Sequence, residues 1–157
     1  MKHVLLFVGA VVLSLAVAAT AQSSPLVGTW KLNVDKSKYD PGPTPKELTR
    51  TIVADGKGVK YTFAGTSGDG KTISYGFSVQ FDGKDNPING TIPSGADSIS
   101  AKRVDANHYV ATLKKAGKVI GTSKVTVSAD GKVTTVESTG TTADGKPEHD
   151  MQVYDKQ

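Results

Sequence analysis

The sequence predicts an all-β domain, a single up-and-down antiparallel β-barrel of eight to ten strands. Three observations predict it. The tripeptide Asp-Gly-Lys recurs five times, at Asp55, Asp69, Asp82, Asp130 and Asp144, and Asp-Gly supplies the positive φ angles of tight hairpin turns. Between these turns apolar and polar residues alternate with the period of two that puts successive side chains on opposite faces of a strand. After the first 21 residues, no stretch of ten carries helical periodicity.

The chain has 157 residues. It opens with Lys2 and His3, then a nearly unbroken apolar run from Val4 to Ala19, then Ala19-Thr20-Ala21. A basic start, an apolar stretch and a small-x-small site make a secretory signal peptide over 1–21. The run of about 16 residues is shorter than the roughly 20 that a spanning helix needs. The expectation is export to a periplasm or beyond, with no membrane span after cleavage.

The rest, 22–157, is long enough for one domain with a core. With Lys2 gone, 18 of the 19 basic residues stand against 15 acidic ones, a charge of +3. The lysines lie largely in turns and form no basic patch interleaved with aromatics, so nucleic acid is not an expected partner. The chain has no cysteine. An exported domain of this kind must hold by packing and hydrogen bonds.

Ten strands are predicted in order: Gly28–Val34, Leu48–Ala54, Gly58–Ala64, Lys71–Gln80, Ile88–Ile92, Ser98–Val104, His108–Lys115, Lys118–Ser128, Lys132–Thr141 and Pro147–Lys156. Alternation is plainest in the fourth, where Ile73, Tyr75, Phe77 and Val79 share one face. Val59, Tyr61 and Phe63 share a face one hairpin earlier, and Tyr109, Ala111 and Leu113 later. One connection is long. Asp35 to Glu47 holds Pro41, Pro43 and Pro45, which exclude a regular helix and suggest a surface crossing or a lid over one end. A meander of short-turn strands leaves raw edges unless it closes, and closure gives the barrel.

The first strand begins Gly28-Thr29-Trp30, with the only tryptophan, and the last ends Gln152 to Gln157. A Gly-x-Trp on the first strand ahead of a hairpin meander resembles the calycin superfamily: lipocalins, fatty-acid-binding proteins and their exported bacterial relatives. The resemblance implies that Trp30 plugs the closed end of the barrel under a basic side chain, a favourable cation–π contact. Arg50, Arg103 and Lys156 are the candidates for that cation. The fatty-acid-binding branch places two helices between strands one and two, which the proline-rich linker excludes. That branch often carries an arginine and, two residues on, a tyrosine on the last strand to bind a carboxylate. Here those positions are Gln152 and Tyr154.

Other motifs resolve into ordinary structure. Gly65 to Thr72, GTSGDGKT, matches a P-loop letter for letter, but that chemistry needs a following helix and a strand follows. Asn89-Gly90-Thr91 is a glycosylation sequon only in a eukaryotic secretory pathway. Around His149, Glu148 and Asp150 suggest a metal site, yet neighbours on a strand point to opposite faces. Some ten-stranded calycin-like barrels hold haem by one histidine, but their extended glycine pattern after the tryptophan is absent here. No cofactor or metal is expected, and no nucleophile stands out.

The resemblance and the alternation together imply a monomeric carrier for a small hydrophobic or amphipathic molecule, lipids included. Tyr61, Phe63, Tyr75, Phe77, Tyr109 and Tyr154 are the expected wall, with Arg103 meeting either an anionic head-group or a structural Glu137. Two alternatives remain open. One is a barrel enzyme of isomerase or hydrolase type, with Glu137 or His108 inside. The other is a barrel packed solid, serving a structural or interaction role.

Overall fold

The computed structural model of the chain describes residues 24–142 and 144–157; the signal peptide expected over 1–21 lies outside the described residues. Within them the strands are β1 (Gly28–Leu32), β2 (Glu47–Asp55), β3 (Gly58–Thr66), β4 (Thr72–Val79), β5 (Asn86–Pro87), β6 (Asn89–Thr91), β7 (Ser98–Arg103), β8 (His108–Lys115), β9 (Lys118–Val127), β10 (Val133–Thr141) and β11 (Pro147–Lys156). They form one antiparallel sheet in the order β5-β7-β8-β9-β10-β11-β1-β2-β3-β4-β6. The first strand pairs with the last, Trp30 opposite Lys156, so the sheet curls into a nearly closed barrel.

Eleven strands stand where ten were predicted: the predicted fifth, Ile88–Ile92, is present as β6, and the segment Asn86–Thr91 carries in addition the short strand β5, Asn86–Pro87, ahead of it. Pro87 and Gly90, the latter at φ 91°, interrupt the segment. Its first half pairs with β7, Asn86 opposite Ile99, and its second with β4, Tyr75 opposite Gly90. One stretch of chain thus lies against both edges of the sheet and blocks each from pairing with another molecule.

All five glycines of the Asp-Gly-Lys repeats take positive φ, from 58° to 88°. Four of the repeats close hairpins; the one at Asp82 instead lies in the crossing from β4 to β5. Three of the turns share a further device. Ser67, Ser128 and Thr142 each accept a hydrogen bond from a backbone amide four residues on, at 2.9, 3.2 and 3.0 Å, and each donates to the Asp of its turn. The turns are satisfied locally and need nothing from the core.

Alternation drives the interior. On β2, Leu48, Arg50 and Ile52 are buried; on β3, Val59, Tyr61 and Phe63; on β4, Ile73, Phe77 and Val79. Trp30 is fully buried at the closed end and donates its indole N–H to Leu26 O at 2.8 Å. Gly28 explains the Gly-x-Trp pattern. At φ 141°, a Cβ here would stand 2.6 Å from Lys156 Cε. The bare glycine lets the Lys156 stem cross β1 and set its ammonium 5.1 Å from the Trp30 ring centroid.

The long connection makes one short 3₁₀ turn, Val34–Lys36, then runs along β11. Lys38 and Met151 exchange backbone hydrogen bonds of 2.7 and 2.8 Å, and the His149 amide donates to Asp40 O. This strap crosses the end of the barrel opposite Trp30.

Gly28→Ala therefore loses about 2 kcal/mol of stability and disturbs Trp30 fluorescence, because the backbone is strained and Lys156 is pushed off the ring. Gly131→Ala, where a Cβ meets nothing within 4 Å, loses only the ~1 kcal/mol of a left-handed residue and leaves the fluorescence unchanged. Thermal melts followed by tryptophan emission check both.

Candidate functional site

The barrel is not packed solid. A cavity of about 130 Å³ lies in its middle, and a second of about 110 Å³ lies under the strap. They adjoin: Tyr75, Ile92, Leu113, Ser138 and Gln152 border both. A water needs only ~10–15 Å³ by such a measure, so this is room for a ligand of one or two rings.

One wall is aromatic. In the β3–β4 register Tyr61 lies opposite Phe77 and Phe63 opposite Tyr75. Their ring centroids stand 4.8 and 4.4 Å apart at shallow interplanar angles. Cross-strand pairing of this kind stabilises the hairpin and sets a flat apolar surface. Phe81, tilted against Tyr109 at 5.0 Å, caps one side. Burial pushes the Tyr61 phenol up to about 12 and raises Tyr75 further, so both are neutral at physiological pH.

The opposite wall is small and polar. Ser123 and Ser138 share a 2.8 Å hydrogen bond across β9 and β10. Gly121 faces Gly140 in the same ladder. On β11 the inward residues are Glu148, Asp150, Gln152 and Tyr154, while His149 and Met151 are exposed.

Arg50 is the central feature. It is 3% exposed and borders the middle cavity. Its guanidinium carbon lies 4.1 Å from the Tyr154 ring centroid and 5.6 Å from that of Trp30. No carboxylate pairs with it among the described residues, and its Nε and Nη2 are buried without any hydrogen-bond partner. Burial pulls its pKa below the ordinary arginine value, opposed by the nearby phenols of Tyr154, Tyr61 and Tyr75. The aromatic faces satisfy the plane of the cation. Its N–H edge has nothing.

A second charged group sits at the mouth. Asp150, 4% exposed, accepts the Asp40 amide at 3.1 Å. Burial pushes its carboxyl up to about 7, with the neighbouring Glu148 adding to the rise and the Asp40 amide opposing it. Tyr39 of the strap and Glu148 border the same space.

The expected wall residues divide. Tyr61, Phe63, Tyr75, Phe77 and Tyr109 border the middle cavity. Tyr154 is fully buried beneath Arg50 and donates its hydroxyl to Gln152 Oε1 at 2.9 Å. Arg103 is not in the cavity. It ends β7 at the rim, exposed, donating to the carbonyls of Asp105 and Ala106 and lying 5.8 Å from the Tyr109 centroid. The strand runs out before the side chain can turn inward. Of the three candidates for the cation over Trp30, Arg50 and Lys156 both occupy that place. Glu137 and His108 are exposed, His108 paired with Asp105 at 2.8 Å. The signal for Arg50 was its position between Leu48 and Ile52 at period two. The signal for Asp150 was the same period through Glu148, Gln152 and Tyr154.

No protein-family model and no curated protein matches the sequence. Among solved structures the chain is similar to the zebrafish ileal bile acid-binding protein complexed with cholic acid. The identity is 15% and the TM-score 0.51, over 85% of this chain and 100% of that one. A redesigned β-barrel, mFAP1, bound to DFHBI, matches at 16% identity and a TM-score of 0.49, over 84% and 95% of the two chains. The first likeness shows a calycin-like barrel fold.

Two outcomes follow from these charges. Arg50→Met keeps the bulk over Tyr154 and removes an unpaired buried charge, so stability rises by about 1 kcal/mol or more in urea melts. For Asp150 the native pKa of about 7 lies above the ~4 of an unfolded aspartate. Its contribution is full below about pH 4 and is lost as pH rises through about 7. The lowered carboxyls of Asp69, Asp82 and Asp97 act below this window. Asp150→Asn therefore flattens the fall in the urea midpoint between about pH 4 and 8 and raises it at the upper end.

Proposed function

We propose that this protein is an exported, monomeric carrier that encloses one small anionic amphipathic molecule. The ligand's flat apolar body lies against Tyr61, Phe63, Tyr75 and Phe77, and its anion meets the free edge of Arg50. The observation that carries this reading is the unpartnered guanidinium in an apolar cavity. A charge held out of water without a counter-ion costs several kcal/mol. A carboxylate, sulfonate or phenolate arriving with the ligand supplies the counter-ion and receives charge-assisted hydrogen bonds in return. The neutral tyrosine hydroxyls bordering the cavity can donate to the same anion.

Cavity size supports a compact ligand and not a long chain, since pockets for drug-sized molecules start near ~300 Å³. Export is supported by the three-part leader, Lys2 to Ala21. The small molecule is the one partner proposed: nucleic acid finds no basic patch interleaved with aromatics, and among the described residues no helix is long and apolar enough to cross a membrane.

Two fluorophores of nearly equal shape test it. Anilinonaphthalene sulfonate carries an anion; N-phenylnaphthylamine does not. The protein binds the sulfonate about tenfold or more tightly than the neutral probe, and Arg50→Met abolishes the difference. Equal affinity for the two probes in the wild type, or a preference that survives Arg50→Met, defeats the anionic reading. Native mass spectrometry of the protein from its own source then gives the mass of what it carries.

A further inference from the structure

Resting on that reading, we infer that the ligand is dipolar: its anion meets Arg50 in the depth of the barrel, and a protonated amine at its far end meets Glu148 and Asp150 under the strap. The two cavities form one interior with a cation at one end and two carboxyls at the other. Arg50 borders the first, Glu148 and Asp150 the second, and five residues border both.

The acid end lacks a counter-charge, as Arg50 does with the sign reversed, and Asp150 has only the Asp40 amide as a donor. Asp150 and Glu148 face inward from alternate positions of β11, so their charges repel across a short gap. Among the described residues no basic side chain answers them. The ion pairs at this end join Lys71 to Asp69 and Lys146 to Asp144, both in exposed turns. Lys38 and Lys46 of the strap are exposed, and His149 points to the outer face. Ser94, in the loop after β6, adds a second deficit bordering the same cavity: its Oγ is buried without a partner. Burial, with the neighbouring Glu148 adding to it, holds the Asp150 carboxyl above the usual carboxylate range, so a facing cation is favoured there. An ammonium brings a full charge and up to three donors to two carboxyls and a hydroxyl. A metal ion fits less well, since no group of three or more His, Cys, Asp or Glu gathers among the described residues.

The register sets the length of the ligand. Arg50 stacks on Tyr154, and Asp150 precedes Tyr154 by four residues on the same strand. At ~3.3 Å per residue the backbone positions of Tyr154, beneath the cation, and Asp150 lie ~13 Å apart, which sets the scale of the ligand. A two-ring body with a charged group at each end spans that distance and lies flat on the Phe63–Tyr75 face. The strap, hydrogen-bonded to β11 through Lys38 and Asp40, then closes over the amine end.

The test uses a biphenyl with a carboxylate at one para end and an aminomethyl group at the other, against the same carboxylate ending in ethyl. Isothermal titration at about pH 8, where the amine is charged, compares the two on the wild-type protein. The expected result is about tenfold tighter binding of the aminomethyl compound. In Asp150→Asn and Glu148→Gln this advantage collapses, while the affinity for the ethyl compound holds or rises. If the ethyl compound binds and the aminomethyl one binds no better, the dipolar inference fails and the anionic carrier stands. If neither binds, both fail. An advantage that persists in the double variant also overturns the assignment to this acid pair, and the wild-type comparison needs no variant to fold.

Discussion

A guanidinium held in the barrel without a counter-ion is the constraint on which the rest of this structure turns. Arg50 lies opposite Trp30, which lies opposite Lys156, so three neighbouring strands bring two cations to one indole. Tyr154 supplies a second ring beneath the guanidinium at 4.1 Å. Each cation–π contact of a desolvated arginine returns ~2 kcal/mol, less than the several kcal/mol that burying the charge costs. The rings therefore hold Arg50 in place beside the cavity, with its Nε and Nη2 left without a hydrogen-bond partner. Gly28 belongs to the same arrangement, because only a residue without Cβ lets Lys156 reach the indole.

The interior around that cation has two unlike walls, and the difference is one of side-chain volume. The β3–β4 hairpin contributes four rings in direct cross-strand register. The β9–β10 hairpin opposite contributes Gly121, Ser123, Ser138 and Gly140. Bulk on one side and little on the other leaves the cavity between. Close packing is the rule for protein interiors, and this void, bordered by an unpaired charge at one end and an acid pair at the other, is the feature on which the proposed carrier role rests. The stability given up there is recovered in the hairpins, whose turns are internally hydrogen-bonded and independent of the core.

Closure comes from an irregular segment. The stretch from Asn86 to Thr91 divides its hydrogen bonds between the two edges of the sheet, and the strap divides its own between solvent and β11. Both lie where a regular strand or helix would have sealed the barrel more completely. Both are irregular, proline- or glycine-containing and held by a few backbone bonds, which marks them as the low-stability parts of the fold.

Most of the architecture was legible in the sequence. Asp-Gly turns and period-two alternation are local, so they named ten of the strands within a residue or two of their ends. They also placed Tyr61, Phe63, Tyr75, Phe77 and Tyr109 on the inner face. Local pattern failed where the outcome depended on partners distant in the chain. Asn86–Pro87 is too short to show alternation, and its pairing with β7 is set by the edge that the chain happens to pass, so no strand was read there. Arg103 shares a face with Ile99 and Ala101, yet the strand ends at the rim, and the side chain finds carbonyls in the next turn. Arg50 and Asp150 alternate with apolar or inward neighbours, but composition argues that charges face water. What the sequence by itself determined was the strands, their turns and the aromatic face, because each follows from a few adjacent residues. What only the tertiary structure decided was which charges lie inside, because burial without a partner is a property of the assembled barrel and of the cavity it encloses.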